Sequence, residues 1–254
     1  MRILITNDDG INSQGIFALA REFINEGEVI ISAPDRQRSA SSHSITMGNP
    51  ITVKEHDFHG MDIKAYAVSG TPADCVKLAL EKLIDGEVDA VVSGINDGAN
   101  LGTDVLYSGT VSAAIEAALL DIPSMAVSQV MRTVKQDYST AAYYARKIFK
   151  KMIGEDFKKG TVLNVNVPYC SREEIKGIMA TGLGTVRYTN SYKEGFSPNG
   201  NRTYTLAGEI IKTDNGSTTD IYAVENKYIS ITPMHYELTK YDYIDSISEW
   251  KLKL

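Results

Sequence analysis

Residues 2–10, Arg-Ile-Leu-Ile-Thr-Asn-Asp-Asp-Gly, decide how this chain folds. The first half is an apolar run the length of a buried strand. The second half is polar and acidic and ends in glycine, so the strand gives way to a loop at Asn7. Beyond it the period of the apolar residues changes: Ile16, Leu19, Ala20, Phe23 and Ile24 recur at helical spacing, and Gly27 supplies a stop. Residues 29–33 are apolar again and are closed by Pro34. Strand, helix and strand in close succession predict the βαβ unit of a parallel sheet.

The same rhythm runs through the first two thirds of the chain. Residues 51–58 and 61–68 alternate in polarity around His59-Gly60, which predicts a hairpin. Pro72 opens a helix whose apolar positions are Cys75, Val76, Leu78, Leu80 and Leu83, since a proline loses no intrahelical bond in the first turn. Strands are predicted over 90–93, 124–130 and 162–167, and helices over 111–120 and 138–152. The fold class is therefore α/β, a mostly parallel sheet with helices on both faces. After Pro168 the rhythm fails. Residues 188–201 are rich in Tyr, Asn, Ser and Gly, Asp214-Asn215-Gly216 is a hairpin-turn signal, and 241–254 reads as a final amphipathic helix. With no linker before it, this tail is expected to pack on the main fold or on another subunit.

Composition narrows the functional classes. The chain has 254 residues, 43% hydrophobic and 23% charged, enough to enclose a substantial core. A formal net charge of -6 argues against a binder of nucleic-acid polymers, whose phosphates favour basic surfaces, but not against a small anionic ligand beside a cation. No apolar run is long enough for a membrane span, and residues 3–5 read as a strand rather than a secretory core, so the expectation is a cytoplasmic protein. Cys75 and Cys170 lie far apart without zinc-type spacing and are expected to be buried free thiols. The glycine fingerprints of dinucleotide and P-loop sites and the GxSxG elbow are all missing, which speaks against a nicotinamide oxidoreductase and an α/β-hydrolase.

In parallel sheets, ligands gather at loops beyond the carboxyl ends of strands. Three such loops, 7–15, 35–44 and 94–110, concentrate oxygen-bearing side chains and glycine. Asp8 and Asp9 can reach one point only where a strand ends and bends, which Gly10 permits. Two readings stand for this pair: a turn that caps the following helix, or paired ligands of a hard cation such as Mg²⁺, Mn²⁺ or Ca²⁺. The second loop offers Ser39, Ser41, Ser42, His43 and Ser44 behind Arg36 and Arg38. Its hydroxyls suit hard metals and its arginines suit phosphate, although a plain solvated loop has the same composition. In the third, Ser108-Gly109-Thr110 leads into a helix, where free N–H groups can bind phosphate while Ser108 or Thr110 caps.

Taken together, RILITNDDG at 2–10, SAPDRQRSASSHSIT at 32–46, SGTPADCV at 69–76, SGINDGANLG at 93–102 and YSGTVSAA at 107–114 resemble the SurE family of stationary-phase survival proteins with 5′-nucleotidase activity. The resemblance implies a Rossmann-like three-layer core, here over 1–168, which 169–254 completes with an oligomerisation hairpin and C-terminal helix. It implies one divalent cation per subunit, Mg²⁺ or Mn²⁺, on Asp8, Asp9, Ser39 and Asn96. It further implies hydrolysis of nucleoside 5′-monophosphates, with 3′-monophosphates and short polyphosphate as further substrates, by a homodimer or homotetramer. On this reading Asp8 and Asp9 are catalytic, and Ser108, Gly109 and Thr110 cradle the phosphate. Either an aspartate deprotonates an attacking water, or one of them attacks phosphorus itself. The alternative is a nucleotide- or metal-binding regulatory protein without turnover.

Overall fold

The computed structural model describes residues 1–250 apart from 131–136, 156, 190–191, 212 and 214. The first βαβ unit is β1 (Arg2–Thr6), α1 (Gln14–Phe23) and β2 (Glu28–Pro34). The predicted hairpin forms as β3 (Val53–Glu55) and β4 (Lys64–Val68), shorter than the alternation suggests. Next come α2 (Pro72–Leu78), β5 (Ala90–Asp97), α3 (Gly109–Leu119), β6 (Ser124–Gln129), α4 (Ser139–Ile153) and β7 (Thr161–Val167). The tail supplies β8 (Gly177–Ala180), β9 (Arg187–Tyr188), β10 (Tyr192–Phe196), β11 (Arg202–Leu206), β12 (Ile210–Ile211), α5 (Asp220–Glu225), β13 (Tyr228–His235) and α6 (Ile244–Ser248).

Among the described residues the main sheet runs β3-β4-β2-β1-β5-β6-β7-β13-β8. The six strands from β4 to β7 are parallel; β3 is antiparallel at one edge, and β13 lies antiparallel to β7 and parallel to β8. Alternation along β1 sets the layers. Ile3 and Ile5 join the core beneath α1 and α4, where Phe23 and Phe149 meet edge to face at 5.0 Å. Leu4 joins the opposite core with Val76 and Ala79 of the α2 segment and Ala113 and Ala117 of α3. The result is a three-layer α/β/α sandwich.

Strand order fixes where a ligand can sit. From β1 the chain builds outward through β2 and β4 on one side and through β5, β6 and β7 on the other. The switch point is therefore between β1 and β5, and the crevice opens at their carboxyl ends. Residues 7–10 leave β1 there, and Asn96 and Asp97 end β5.

Several elements differ from the sequence reading. The strand predicted over 90–93 continues to Asp97, because a bulge between Gly94 and Asn96 lets Asn96 and Asp97 pair with Ser128 and Gln129 of β6. Asn96 is thus a strand residue and not a loop residue. The helix opened by Pro72 continues as a π-helical stretch, Ala79–Leu83. Strand β13 lies between β7 and β8 over residues 228–231, while Pro233 falls beyond the last β8 partner and pairs with β7 alone, an edge position that suits a proline. Gly216 is left-handed as a turn glycine should be (φ 68°), but the chain proceeds into α5 and not into a returning strand; Asp214 lies outside the described residues. The tail hairpin is instead β10–β11, closed where Ser197 donates its N–H to Asn201 (2.8 Å). The final helix is short, and 251–254 lie outside the described residues. Both thiols are free; Cys75 is buried, while Cys170 is partly exposed. No helix among the described residues is long and apolar enough to cross a membrane.

Candidate active site

Gly10 turns the chain out of β1 in the left-handed region (φ 95°), so tightly against Arg36 that a side-chain carbon there would lie 3.0 Å from that residue's backbone. The bend sends the two carboxylates in different directions. Asp8 points at α3, where the Thr110 hydroxyl donates to Oδ1. Asp9 points at β5, accepting from the Asp97 N–H at 2.9 Å on Oδ2 and from the Gln37 amide at 3.3 Å on Oδ1. Neither caps α1. That task falls to Ser13, whose oxygen accepts from the Ile16 N–H and is itself held by the Asn7 amide at 2.7 Å. Of the two readings of Asp8-Asp9-Gly10, the helix cap is thereby removed.

The electrostatics follow from burial. Asp8 is 3% exposed. Loss of water pushes its carboxyl up to about 6; the bond from Thr110 opposes this and the charge of Asp9 adds to it. Burial also raises Asp9, countered by the Asp97 N–H and reinforced by the Asp97 charge. Two neighbouring carboxylates held away from water favour a compensating positive charge. Part of it comes from α3, whose N-terminal end faces Asp8.

The serine-rich loop closes over these groups. Arg38 donates its N–H to the Asp8 carbonyl at 2.7 Å, while its guanidinium is engaged by the Ser69 carbonyl at 2.5 Å and by Asp35. The Gln37 amide donates to both Asp9 and the Ser39 hydroxyl (2.9 Å), so these two oxygens converge on one nitrogen. Farther along, the Ser42 hydroxyl donates to the Leu106 carbonyl at 2.7 Å and His43 meets Glu116 of α3 at 2.8 Å. The sequence offers His43 no such partner, because Glu116 is 73 residues away.

Asn96 ends β5 beside Asp97, at the same end of the sheet as the start of α3. The Asn96 amide nitrogen donates to the Gly98 carbonyl at 2.7 Å, which leaves Oδ1 to accept or to ligate. Ser108 caps α3 by accepting from the Val111 N–H at 3.0 Å. Thr110 is committed to Asp8, and Gly109 presents bare backbone. A side-chain carbon at Gly109 would lie 2.7 Å from Ser41 Oγ, 2.8 Å from Asp8 Cβ and 3.0 Å from Asp8 Oδ2.

Asp8, Asp9, Ser39 and Asn96 offer only oxygen, the chemistry that hard divalent cations select over zinc. Among the described residues no group of three His, Cys, Asp or Glu side chains is placed to hold a metal. Two carboxylates with neutral oxygens are the donor set available, and the convergence of Asp9 and Ser39 on the Gln37 amide fits it to a small cation. Sequence reasoning missed Gln37, Asp97 and the Thr110–Asp8 bond, all contacts across long separations. It also missed Tyr138, which burial and then the charges of Asp97 and Asp9 hold firmly protonated. Tyr138 lies at the end of a cleft of about 850 Å³ between α1 and α4, lined also by Phe17, Arg21, His59 and Arg172. That cleft borders the carboxylates but is not lined by Asp8 or Asp9.

Comparison with known proteins bears on this geometry. A family model described as Survival protein SurE matches residues 3–190. A Clostridium botulinum protein named 5′-nucleotidase SurE is 47% identical over 250 residues, 98% of each chain. A Natranaerobius thermophilus protein of the same name is 47% identical over 257 residues, 99% of each chain. The crystal structure of the SurE protein from Aquifex aeolicus superimposes with a TM-score of 0.85 at 39% identity, covering 98% of both chains.

Proposed function

The chain belongs to the SurE family, and from that premise we propose that it is a 5′-nucleotidase, a metal-dependent phosphomonoesterase releasing phosphate from nucleoside 5′-monophosphates. The observation that carries the reading is the meeting of Asp8 with the start of α3, where the missing side chain of Gly109 lets a buried carboxylate lie directly against helix backbone. Backbone amides at a helix start beside oxygen-bearing side chains suit a phosphate ester paired with a cation.

Asp8, Asp9, Ser39 and the Asn96 carbonyl oxygen would hold one Mg²⁺ or Mn²⁺ per subunit. A divalent cation, when bound, offsets the negative charge of a phosphate ester and of its in-line displacement. The protein's own groups do the rest. Gly109 and its neighbours in α3 receive the phosphoryl oxygens. Thr110 fixes Asp8 through Oδ1 and so leaves Oδ2 on the substrate side. From there Asp8 either takes the proton of a water that attacks phosphorus as the P–O bond to the nucleoside breaks, or attacks phosphorus itself, expels the nucleoside and is freed when water hydrolyses the aspartyl phosphate; Asp9, held by Asp97 and Gln37, is the better-anchored ligand. Nucleoside 3′-monophosphates and short polyphosphate are further candidate substrates. Self-association through the tail is supported by its exposed apolar residues, among them Phe196, Leu206 and Ile210. A cytoplasmic location accords with such substrates.

The test is a phosphate-release screen over nucleoside 5′- and 3′-monophosphates, polyphosphate and simple esters, with and without Mg²⁺ or Mn²⁺. Metal-dependent release that is fastest from 5′-monophosphates supports the assignment. Absence of release from every nucleotide would leave a binding protein in its place.

A further inference from the structure

Leaving aside Ser44, which donates to the Ser41 carbonyl at 2.8 Å, the serine-rich loop and the first residues of α3 with its cap carry five hydroxyls, and four have partners in the fold. Ser39 accepts from Gln37, Ser42 donates to the Leu106 carbonyl, Ser108 caps α3 and Thr110 donates to Asp8. The fifth is Ser41. Its Oγ is shielded from solvent and makes no hydrogen bond among the described residues. A buried hydroxyl without a partner forgoes the water it would otherwise bind, so proteins seldom leave one idle.

The backbone aims this hydroxyl. Ala40 and Ser42, on either side, are both left-handed (φ 55° and 52°), a conformation uncommon for residues with a side chain. Contacts beyond them hold the loop in place. The Ser42 N–H donates to the Tyr107 carbonyl at 3.1 Å, His43 meets Glu116 at 2.8 Å, and the Thr71 hydroxyl donates to the Ser44 carbonyl at 2.7 Å. Between these two left-handed residues Ser41 faces α3: a side-chain carbon at Gly109 would lie 2.7 Å from Ser41 Oγ and 3.0 Å from Asp8 Oδ2.

We propose that Ser41 is a substrate-contacting catalytic residue whose hydroxyl donates to a phosphoryl oxygen held between Asp8 and the start of α3. The inference rests on the reading of this site as a phosphatase centre. An oxygen that gains negative charge during displacement strengthens a donor already in position, so the contact acts chiefly on turnover.

Ser41→Ala and Ser41→Thr test it, with three readouts: steady-state hydrolysis of AMP with Mn²⁺, the dissociation constant for inorganic phosphate, and the melting temperature. Since Oγ has no partner among the described residues, Ser41→Ala is expected to melt at or above the wild-type temperature. Its kcat/KM is expected to fall about 10- to 1000-fold, the range for loss of one such donor. Phosphate affinity falls with it, and Ser41→Thr recovers most of both. Wild-type kinetics and phosphate affinity in Ser41→Ala would overturn the proposal. So would a melting temperature lowered by several degrees with no rescue by threonine, which is the signature of a structural role. If the wild type releases no phosphate from nucleotides yet binds phosphate more tightly than Ser41→Ala, the phosphatase reading falls and the Ser41 contact stands. If the wild type binds no phosphate, both fall.

Discussion

Asp8 concentrates the chemistry of the site in one side chain. The folded chain keeps its proton up to about pH 6, whereas an unfolded aspartate releases it near 3.8. The folded state therefore binds more protons between those values, and this group makes stability fall as pH rises through the window and stay lower above it. The full effect is on the order of 2–3 kcal/mol. Asp8→Asn removes it. In chelator, the melting temperature of the variant relative to wild type should increase between pH 4.5 and 7; a constant difference across that range would contradict the assigned burial. What the sequence displayed here was the acidic pair and the glycine that lets it bend. What it could not display was Thr110, which is 102 residues away and anchors Asp8 through its hydroxyl.

At the scale of elements, α3 and the serine-rich loop form two walls of one crevice. Gly109→Ala would put a methyl group within 2.8 Å of both Ser41 Oγ and Asp8 Cβ. Backbone and carboxylate must then shift, with an expected destabilisation of about 1–3 kcal/mol and loss of phosphate release by about 100-fold or more. Unchanged kinetics in this variant would mean that the crevice is not where substrate sits. The loop is held to α3 by His43 and Glu116, the latter 7% exposed at its side chain. His43→Ala leaves that carboxylate with Lys77 at 3.6 Å as its remaining ionic partner. An expected drop of about 1–3 kcal/mol, read by denaturant unfolding, checks the contact. Element existence was legible for α1 from its helical spacing, since one face is buried, and for the parallel strands from short continuous apolar runs, since both their faces are buried. The extension of β5 was hidden, since Gly94-Ile95-Asn96-Asp97 has loop composition and becomes strand only through pairing with β6. Strand β13 was hidden for a related reason: Pro233 reads as a strand breaker, and only the pairing with β7 carries the strand past it to His235.

For the whole molecule, strand order brings residues from three distant loops to one crest. The βαβ rhythm predicted a parallel sheet but did not state which strands adjoin, so convergence at the β1–β5 switch point is a property of topology alone. The tail was least legible, as its strands are short and partly pair outside the main sheet. On the β10–β11 ribbon, Tyr192 pairs with Leu206, Glu194 with Tyr204 and Phe196 with Arg202, so four exposed apolar or aromatic side chains share one face. Phe196→Asp with Leu206→Asp should lower the mass measured by light scattering if that face joins subunits, and an unchanged mass would locate the contact elsewhere. The most direct test of the central claim is phosphate release from AMP with Mn²⁺ by wild type and by Asp8→Asn combined with Asp9→Asn. The expected result is metal-dependent release by the wild type and a loss of at least about 1000-fold in a variant that remains folded. Undiminished release by the folded double variant would contradict the assignment of these two aspartates to the centre of the site.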